Sequence, residues 1–398
     1  MAKNIVEKII AHNMDQNSRV NVNTFLINDA IEMNALMSLY KNEIFNKNLE
    51  WVVSIDHNVP SNSVEFTKKH NIMKCVSQKA SGKFFYGEGI GQNLLIEKKN
   101  ITGMVITSTE KRSSILGAIG ALVIPVKDKE EVINIARSGK IDLAGVKVYS
   151  YELINNLSEG VSIKDVILYL IRNYKVTDNN VIIELKGKVI RNLSISDRIN
   201  LCSYAADLGV LSIIIEFDSK CRDYLSQYGI FVDDNIRLLS DDNCCYMRKE
   251  VIDISQVVQQ LRSKICSVDR IKDKKKIGVK VDQGFIGGCS LAMDEFRDAA
   301  KLLKDKKVND ETKLLISFPT NQMYIMALNE GLVDVFIESG AIILNSGCGA
   351  CCGGCQGKIS GNQVMITTGN YLNNSNNEGN IYYHSTKSVI EGCITGEV

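Results

Sequence analysis

Residues 341–358 read AIILNSGCGACCGGCQGK. An apolar run of strand character ends there in a glycine-rich loop that carries Cys348, Cys351, Cys352 and Cys355. Upstream, residues 284–303 read GFIGGCSLAMDEFRDAAKLL and set Cys289 between a strand and a helix. Both segments put thiols just beyond the carboxyl ends of strands, where helix N-termini favour anions. Glycines around Cys348 allow close backbone approach and leave N–H groups free for an anionic group or for sulfur. Outward from these segments the order strand, cysteine loop, helix, strand, helix, strand runs from IGVKVDQGFIGGCS to VDVFIESGAIILNSG. That alternation predicts an α/β architecture.

The same alternation continues toward the N-terminus. Residues 3–12 read as an amphipathic helix. WVVSI at 51–55 reads as a buried strand entering the loop DHNVPSNS, and 61–70 as a helix capped by Ser61 or Ser63. A strand is expected over 101–107, then a polar turn and the small-residue run LGAIGALVIPV. Helices are expected over 127–140, 162–174 with Ser162 as N-cap, and 196–208, and strands over 181–187 and 211–217. Charge and loss of periodicity mark 267–277 as a linker. Gly87-Glu88-Gly89-Ile90-Gly91 lacks the strand–helix setting of a dinucleotide loop and reads as a turn.

A chain of 398 residues is long enough for two to three domains. Its net charge of +1 gives no electrostatic reason to expect nucleic acid or an anionic membrane as a partner. No apolar run is long enough to span a bilayer, and the first residues carry no signal-peptide pattern, so the expected location is cytoplasmic.

Disulfides are a poor account of 12 cysteines in such a chain. Seven of them read as small buried hydrophobes or bystander thiols: Cys75, Cys202, Cys221, Cys244, Cys245, Cys266 and Cys393. The clustered remainder needs a chemical explanation. A C-x-x-C pair plus one distant cysteine supplies three thiolates, and a cubane cluster on three thiolates keeps one iron open as a Lewis acid. Structural zinc is a rival, but the abutting pairs Cys348/Cys351 and Cys352/Cys355 suit one tetrahedral site poorly. A thioredoxin-like pair would open a helix in a smaller domain. Cys352 or Cys355 could also close the cluster, which would then serve structure, sensing or electron transfer. Of the four histidines, His12 and His70 read as helix-terminal and His384 as a surface or core residue, leaving His57 as the candidate for the cleft.

These segments resemble the aconitase superfamily, and within it the large subunits of 3-isopropylmalate dehydratase and homoaconitase. GFIGGCS is similar to the family's G-S-C-T-N loop, GCGACCGG to its C-G-P-C segment and IDHNVPSNS to its D-H-N-V-P motif. GVSIKDVILYLI and VIRNLSISDRINLCSYAADLG are similar to further stretches of the isomerases, so the likeness runs over most of the chain. It implies three α/β domains around a cluster-bearing cleft, divided here as 1–140, 141–270 and 275–398, without a fused swivelling domain. It implies a [4Fe-4S] cluster on Cys289, Cys348 and Cys351, catalytic roles for Asp56 and His57, and an acidic residue near Glu131. It implies hydro-lyase or isomerase activity on a small hydroxy acid, and a separate small swivelling-domain subunit.

Several motif positions depart from the family. D-S-H-T reads Glu110-Lys111-Arg112-Ser113, and G-x-x-H-Q reads Gly89-Ile90-Gly91-Gln92-Asn93. C-T-N ends in Leu291, and the arginine-bearing N-R-N-F-x-G-R segment reads Gly369-Asn370-Tyr371-Leu372-Asn373-Asn374-Ser375. Paired arginines suit di- and tricarboxylates, so their loss bears on the substrate. Lys111 and Arg112 bring new positive charge and read either as partial compensation or as a solvated basic turn. The departures leave a non-catalytic alternative, a cluster-bearing sensor or complex subunit.

Overall fold

The computed structural model describes residues 2–41, 45–233, 236, 238–258, 260–263, 272–273, 278–351, 356–370 and 379–397. Three sheets lie within residues 24–125, 147–253 and 260–383, and a further short antiparallel pair joins Val20–Asn21 to Lys140–Ile141.

The first sheet runs Lys83–Tyr86, Glu50–Ile55, Thr24–Asn28, Val105–Ser108, Leu122–Pro125, all parallel. Its central strands are continuous apolar runs because helices cover both faces; Phe25, Leu26, Ile27, Val52 and Val53 are all buried. The chain starts in the middle strand, adds strands to one side and then crosses to the other. The reversal opens a crevice beyond the carboxyl ends of Thr24–Asn28 and Val105–Ser108.

The second sheet repeats this order as Ser212–Ile215, Val181–Lys186, Lys147–Ile154, Arg248–Asp253. In the third, Gln283–Ile286 lies between Lys313–Ile316 and Val364–Thr367, with Ile342–Ile343 and Asn380–Tyr383 outside them, all parallel. Gln260–Ser263 adds an antiparallel strand and pairs in turn with Lys272–Asp273. The remainder of the expected linker at 267–277 falls outside the described residues. The third sheet's reversal places the loops after Gln283–Ile286 and Val364–Thr367 side by side.

Local chemistry fixes the element ends. Ser63 rather than Ser61 caps the helix Val64–Lys79, its Oγ accepting the Phe66 N–H at 3.1 Å. Ser162 and Asp165 form a reciprocal cap on Ile163–Asn173. The strand expected over 101–107 begins only at Val105, because Gly103 turns the chain with φ +74°. The helix expected over 196–208 breaks into Ile195–Ser203 and Ala205–Leu208. The small-residue run ends a 3-10 helix, Lys111–Ile119, closed by Gly120 at φ 77°, and continues into the strand Leu122–Pro125.

Two close approaches tie the sheets together. A Cβ on Gly117 would lie 1.9 Å from the Ile213 carbonyl, so the 3-10 helix sits directly on the second sheet's edge strand. The turn at 87–91 meets the third unit through Ile90 N–H to the Pro319 carbonyl and Asn321 N–H to the Glu88 carbonyl, both 2.8 Å. Beside it, Thr320 donates through Oγ1 to Glu97 Oε1 at 2.6 Å. Burial pushes the Glu97 carboxyl up to about 7 despite that bond. Among the described residues no helix is long and apolar enough to cross a membrane.

Candidate active site

The third sheet delivers the thiols. Cys289 follows Gln283–Ile286 through Gly287 and Gly288, the latter at φ +99°. Cys348 follows Ile342–Ile343 across a loop fastened by Ser317, whose Oγ lies 2.9 Å from the Asn345 carbonyl and 3.0 Å from that of Gly347. Cys348 N–H donates to the Asp56 carbonyl at 3.2 Å, and Cys351 N–H to the Cys348 carbonyl at 3.0 Å. Cys289, Cys348 and Cys351 thereby line one cavity together with Asn28, His57, Gln92, Glu110, Arg112 and Asn370. Cys352 and Cys355 lie outside the described residues.

This donor set fits a thiolate-bound metal centre. None of the three thiols is in a disulfide. Burial pushes Cys348 up to about 12 and Cys289 higher still, and the neighbouring thiols add to both shifts. His57 beside Cys348 and Arg112 beside Cys289 act in the opposite sense. Buried thiolates are costly unless a cation shares the site. Around Cys351 the wall is bare backbone: a Cβ on Gly369 would lie 2.9 Å from its Sγ, and one on Gly288 3.6 Å away.

The first sheet supplies a charged group opposite. Asp29 follows Thr24–Asn28, and its carboxylate accepts N–H bonds from Asp56 at 3.4 Å, His57 at 3.2 Å and Asn58 at 3.3 Å. It also accepts His57 Nδ1–H at 2.7 Å. Asp56 Oδ1 is equally close to that nitrogen, but a single Nδ1–H points at one acceptor, and Asp56 Oδ1 has no hydrogen bond. Its Oδ2 accepts Gly91 N–H at 2.8 Å and Ser54 Oγ–H at 3.2 Å.

Burial opposes the charge on Asp29, yet His57 holds its carboxyl well below the usual range. Burial raises Asp56 to about 6, with His57 opposing and Asp29 adding to the rise. Burial would also discharge His57, but Cys348, Asp29 and Asp56 together hold its pKa well above the ordinary value. His57 faces the cavity, whereas the Asp56 side chain is fully covered behind it. Asp56 therefore adjoins the cavity only by way of His57. His57, Asp56 and Cys348 also offer ligand atoms within 4.8 Å of one another, but Nδ1 is already committed to Asp29.

Of the departing motif positions, Gln92, Glu110, Arg112 and Asn370 border this cavity. Gln92, near the start of the helix Gly91–Lys98, is buried with Oε1 unbonded, and Asn93 donates through Nδ2 to the Cys289 carbonyl at 3.0 Å. Glu110 caps the 3-10 helix by accepting Arg112 N–H at 2.9 Å. Lys111 is exposed. Arg112 turns inward instead, donating from Nη1 to the Ser203 carbonyl at 2.8 Å and Asp207 Oδ2 at 2.5 Å. Asn370 accepts the Tyr204 hydroxyl at 2.7 Å and donates to Ser203 Oγ at 3.0 Å.

Glu131 does not join them. It lies in the first turn of the helix Lys129–Ser138, its carboxylate folded back onto the Lys127 N–H at 2.6 Å, outside the cysteine-lined cavity. An acidic residue three positions after Asp128 is what a helix start asks for, which is why its motif position misleads.

Three residues near the site were missed or misplaced in the sequence. Asp29 is one; its signal was a strand ending in Asn-Asp, parallel to the strand ending in Asp56-His57. His70 is another: it lies inside the helix rather than at its end, buried, with Nε2 3.7 Å from Asp29 Oδ2. Lys164 is the third, buried with its ammonium on the Thr368 carbonyl, where burial pulls its pKa down to about 8 against Glu295 and Cys351.

The profile of the aconitase family (aconitate hydratase) matches residues 5–263 and 247–396. The probable 3-isopropylmalate dehydratase large subunit of Methanothermobacter thermautotrophicus is 27% identical over 361 residues, covering 87% of this chain and 84% of that protein. The methanogen homoaconitase large subunit of Methanocaldococcus jannaschii is 28% identical over 367 residues, covering 87% and 86%. The crystal structure of Thermococcus kodakaraensis aconitase X superposes with a TM-score of 0.51 at 10% identity, over 89% of this chain and 84% of that one, a likeness of fold. With the profile spanning nearly the whole chain and the strands of all three sheets within it, the chain belongs to the aconitase family and resembles its large subunits.

Proposed function

We propose that the chain is the large subunit of a hydro-lyase or isomerase that acts on a hydroxy acid, with a [4Fe-4S] cluster on Cys289, Cys348 and Cys351. The observation that carries this reading is the meeting of three thiols and His57, bonded through Nδ1 to Asp29, in one cavity. When bound, a cluster with one iron free of protein ligands supplies a Lewis acid for a hydroxyl and a carboxylate. His57, whose pKa Cys348, Asp29 and Asp56 together hold up, is the proton donor for a departing hydroxide. Asp29 fixes the ring through Nδ1, so the ring's other nitrogen faces the cavity side. Asp56 keeps negative charge behind the ring and holds the turn at Gly91. Glu131 has no part in this scheme. The partner is a separate small subunit carrying the swivelling domain, which would cover the cleft and supply the groups this chain lacks.

A second reading, a cluster-bearing protein without dehydratase activity, draws on Gln92 and Arg112 standing where the resemblance expects histidines. Anaerobic purification with iron and sulfide counts, EPR and a dehydration assay with a small subunit added separates the two. Four irons, a three-iron signal on mild oxidation and turnover support the first reading. A cluster without turnover of any hydroxy acid supports the second, and absence of iron refutes both. Cys289→Ser, Cys348→Ser and Cys351→Ser should each lose iron, while Cys202→Ser, buried in the core, should keep it.

A further inference from the structure

Among the described residues that line the cavity, Arg112 alone carries a guanidinium, and its surroundings define what it can grip. Arg112 enters from the N-terminal end of the 3-10 helix and is held from one side only. Ser203 and Asp207 both take Nη1, and the Tyr204 ring lies 5.5 Å from the guanidinium carbon. Among the described residues, Nε and Nη2 have no protein partner, which leaves one two-donor edge of the fork unused. Two further polar groups border the same space without a hydrogen bond: Asn28 Nδ2, a donor, and Gln92 Oε1, an acceptor. Both side chains are at most 2% exposed. A buried fork with an unused edge, a spare amide donor and a spare amide acceptor match a carboxylate bearing an adjacent hydroxyl. Lys111, the neighbouring cation, is exposed and does not line the cavity.

We infer that Arg112 is a binding residue of this chain: with Asn28 and Gln92 beside it, it anchors the carboxylate of a short 2-hydroxy acid in the cysteine-lined cavity. This rests on the hydro-lyase reading for its place in a reaction, but the binding claim stands on the cavity's own groups. Asp207 and Tyr204 are positioning residues that aim the guanidinium. A single anchoring arginine inside the cavity suits a ligand with one carboxylate at the reacting end.

The test is calorimetric binding of L-lactate and of neutral lactamide to the anaerobically purified protein, with iron counted in every sample. Wild type should bind lactate and discriminate against lactamide by about ten- to a hundred-fold, the value of charge-assisted hydrogen bonds. Arg112→Gln should lose that discrimination, and Arg112→Lys should retain part of it, keeping charge without the fork. The lactate–lactamide comparison on wild type needs no variant to fold, and thermal melts show whether the variants do. Equal binding of the two ligands by wild type, no lactate binding at all, or unchanged lactate affinity in a folded Arg112→Gln overturns the assignment. Arg112-dependent lactate binding by protein that holds no iron keeps the anchor and removes the hydro-lyase reading.

Discussion

Glu97→Gln should change how stability depends on pH. Glu97 is buried where the first and third units meet, and accepts the Thr320 hydroxyl at 2.6 Å. Burial raises its carboxyl from an ordinary 4.5 to about 7. Between those values the native chain holds a proton that the unfolded chain has released, so stability falls as pH rises through the window. Each pH unit is worth about 1.4 kcal/mol, so the loss from this one group is about 3 kcal/mol by pH 7. A glutamine keeps the carbonyl that Thr320 binds and removes the ionisation. Relative to wild type, the variant should therefore gain about 3 kcal/mol between pH 4 and pH 8. The assay is denaturant unfolding of both proteins at matched pH values, reading the difference between them. The informative outcome is the slope of that difference. Parallel pH profiles for wild type and variant would refute the reasoning, because they would mean that Glu97 ionises in the native chain as it does in water.

Asp29→Asn removes the carboxylate that holds His57 charged; the histidine ring should titrate at lower pH by NMR, and any dehydratase activity should fall about a hundred-fold or more. Gly369→Ala places a Cβ 2.9 Å from Cys351 Sγ, so the variant should bind less iron than wild type while its circular dichroism is unchanged. Gly117→Ala drives a methyl against the Ile213 carbonyl and should cost about 1–3 kcal/mol or more, read as a lowered thermal midpoint.

The cysteine loops were legible because they end apolar strands and carry glycines, a local pattern that needs no tertiary information. The helices capped by Ser63 and Ser162 were legible for the same reason. Asp29 was not, since its role depends on two parallel strands lying side by side, which brings it to His57 across 28 positions of sequence. Lys111 and Arg112 are adjacent, and composition treats them alike. The 3-10 helix sends one to solvent and the other to Asp207, a difference set by its register. Glu131 shows the opposite failure: an acidic residue near a motif position was explained by its own helix. Lys164 sits in an amphipathic helix among apolar residues, where nothing local reveals that its ammonium ends on the Thr368 carbonyl.

The uneven sourcing of the cavity has a consequence for how the protein is made. His57, Asp29, Gln92 and Arg112 belong to the first sheet and its loops, while Cys289, Cys348 and Cys351 all come from the third. Domains tend to fold in the order of their synthesis. The nascent chain can thus complete the proton-bearing wall long before any of the three thiols has left the ribosome. On the proposed reading, metal loading would be a late event, confined to a chain whose opposite wall already stands, and stray ions would meet no finished thiol trio during most of translation.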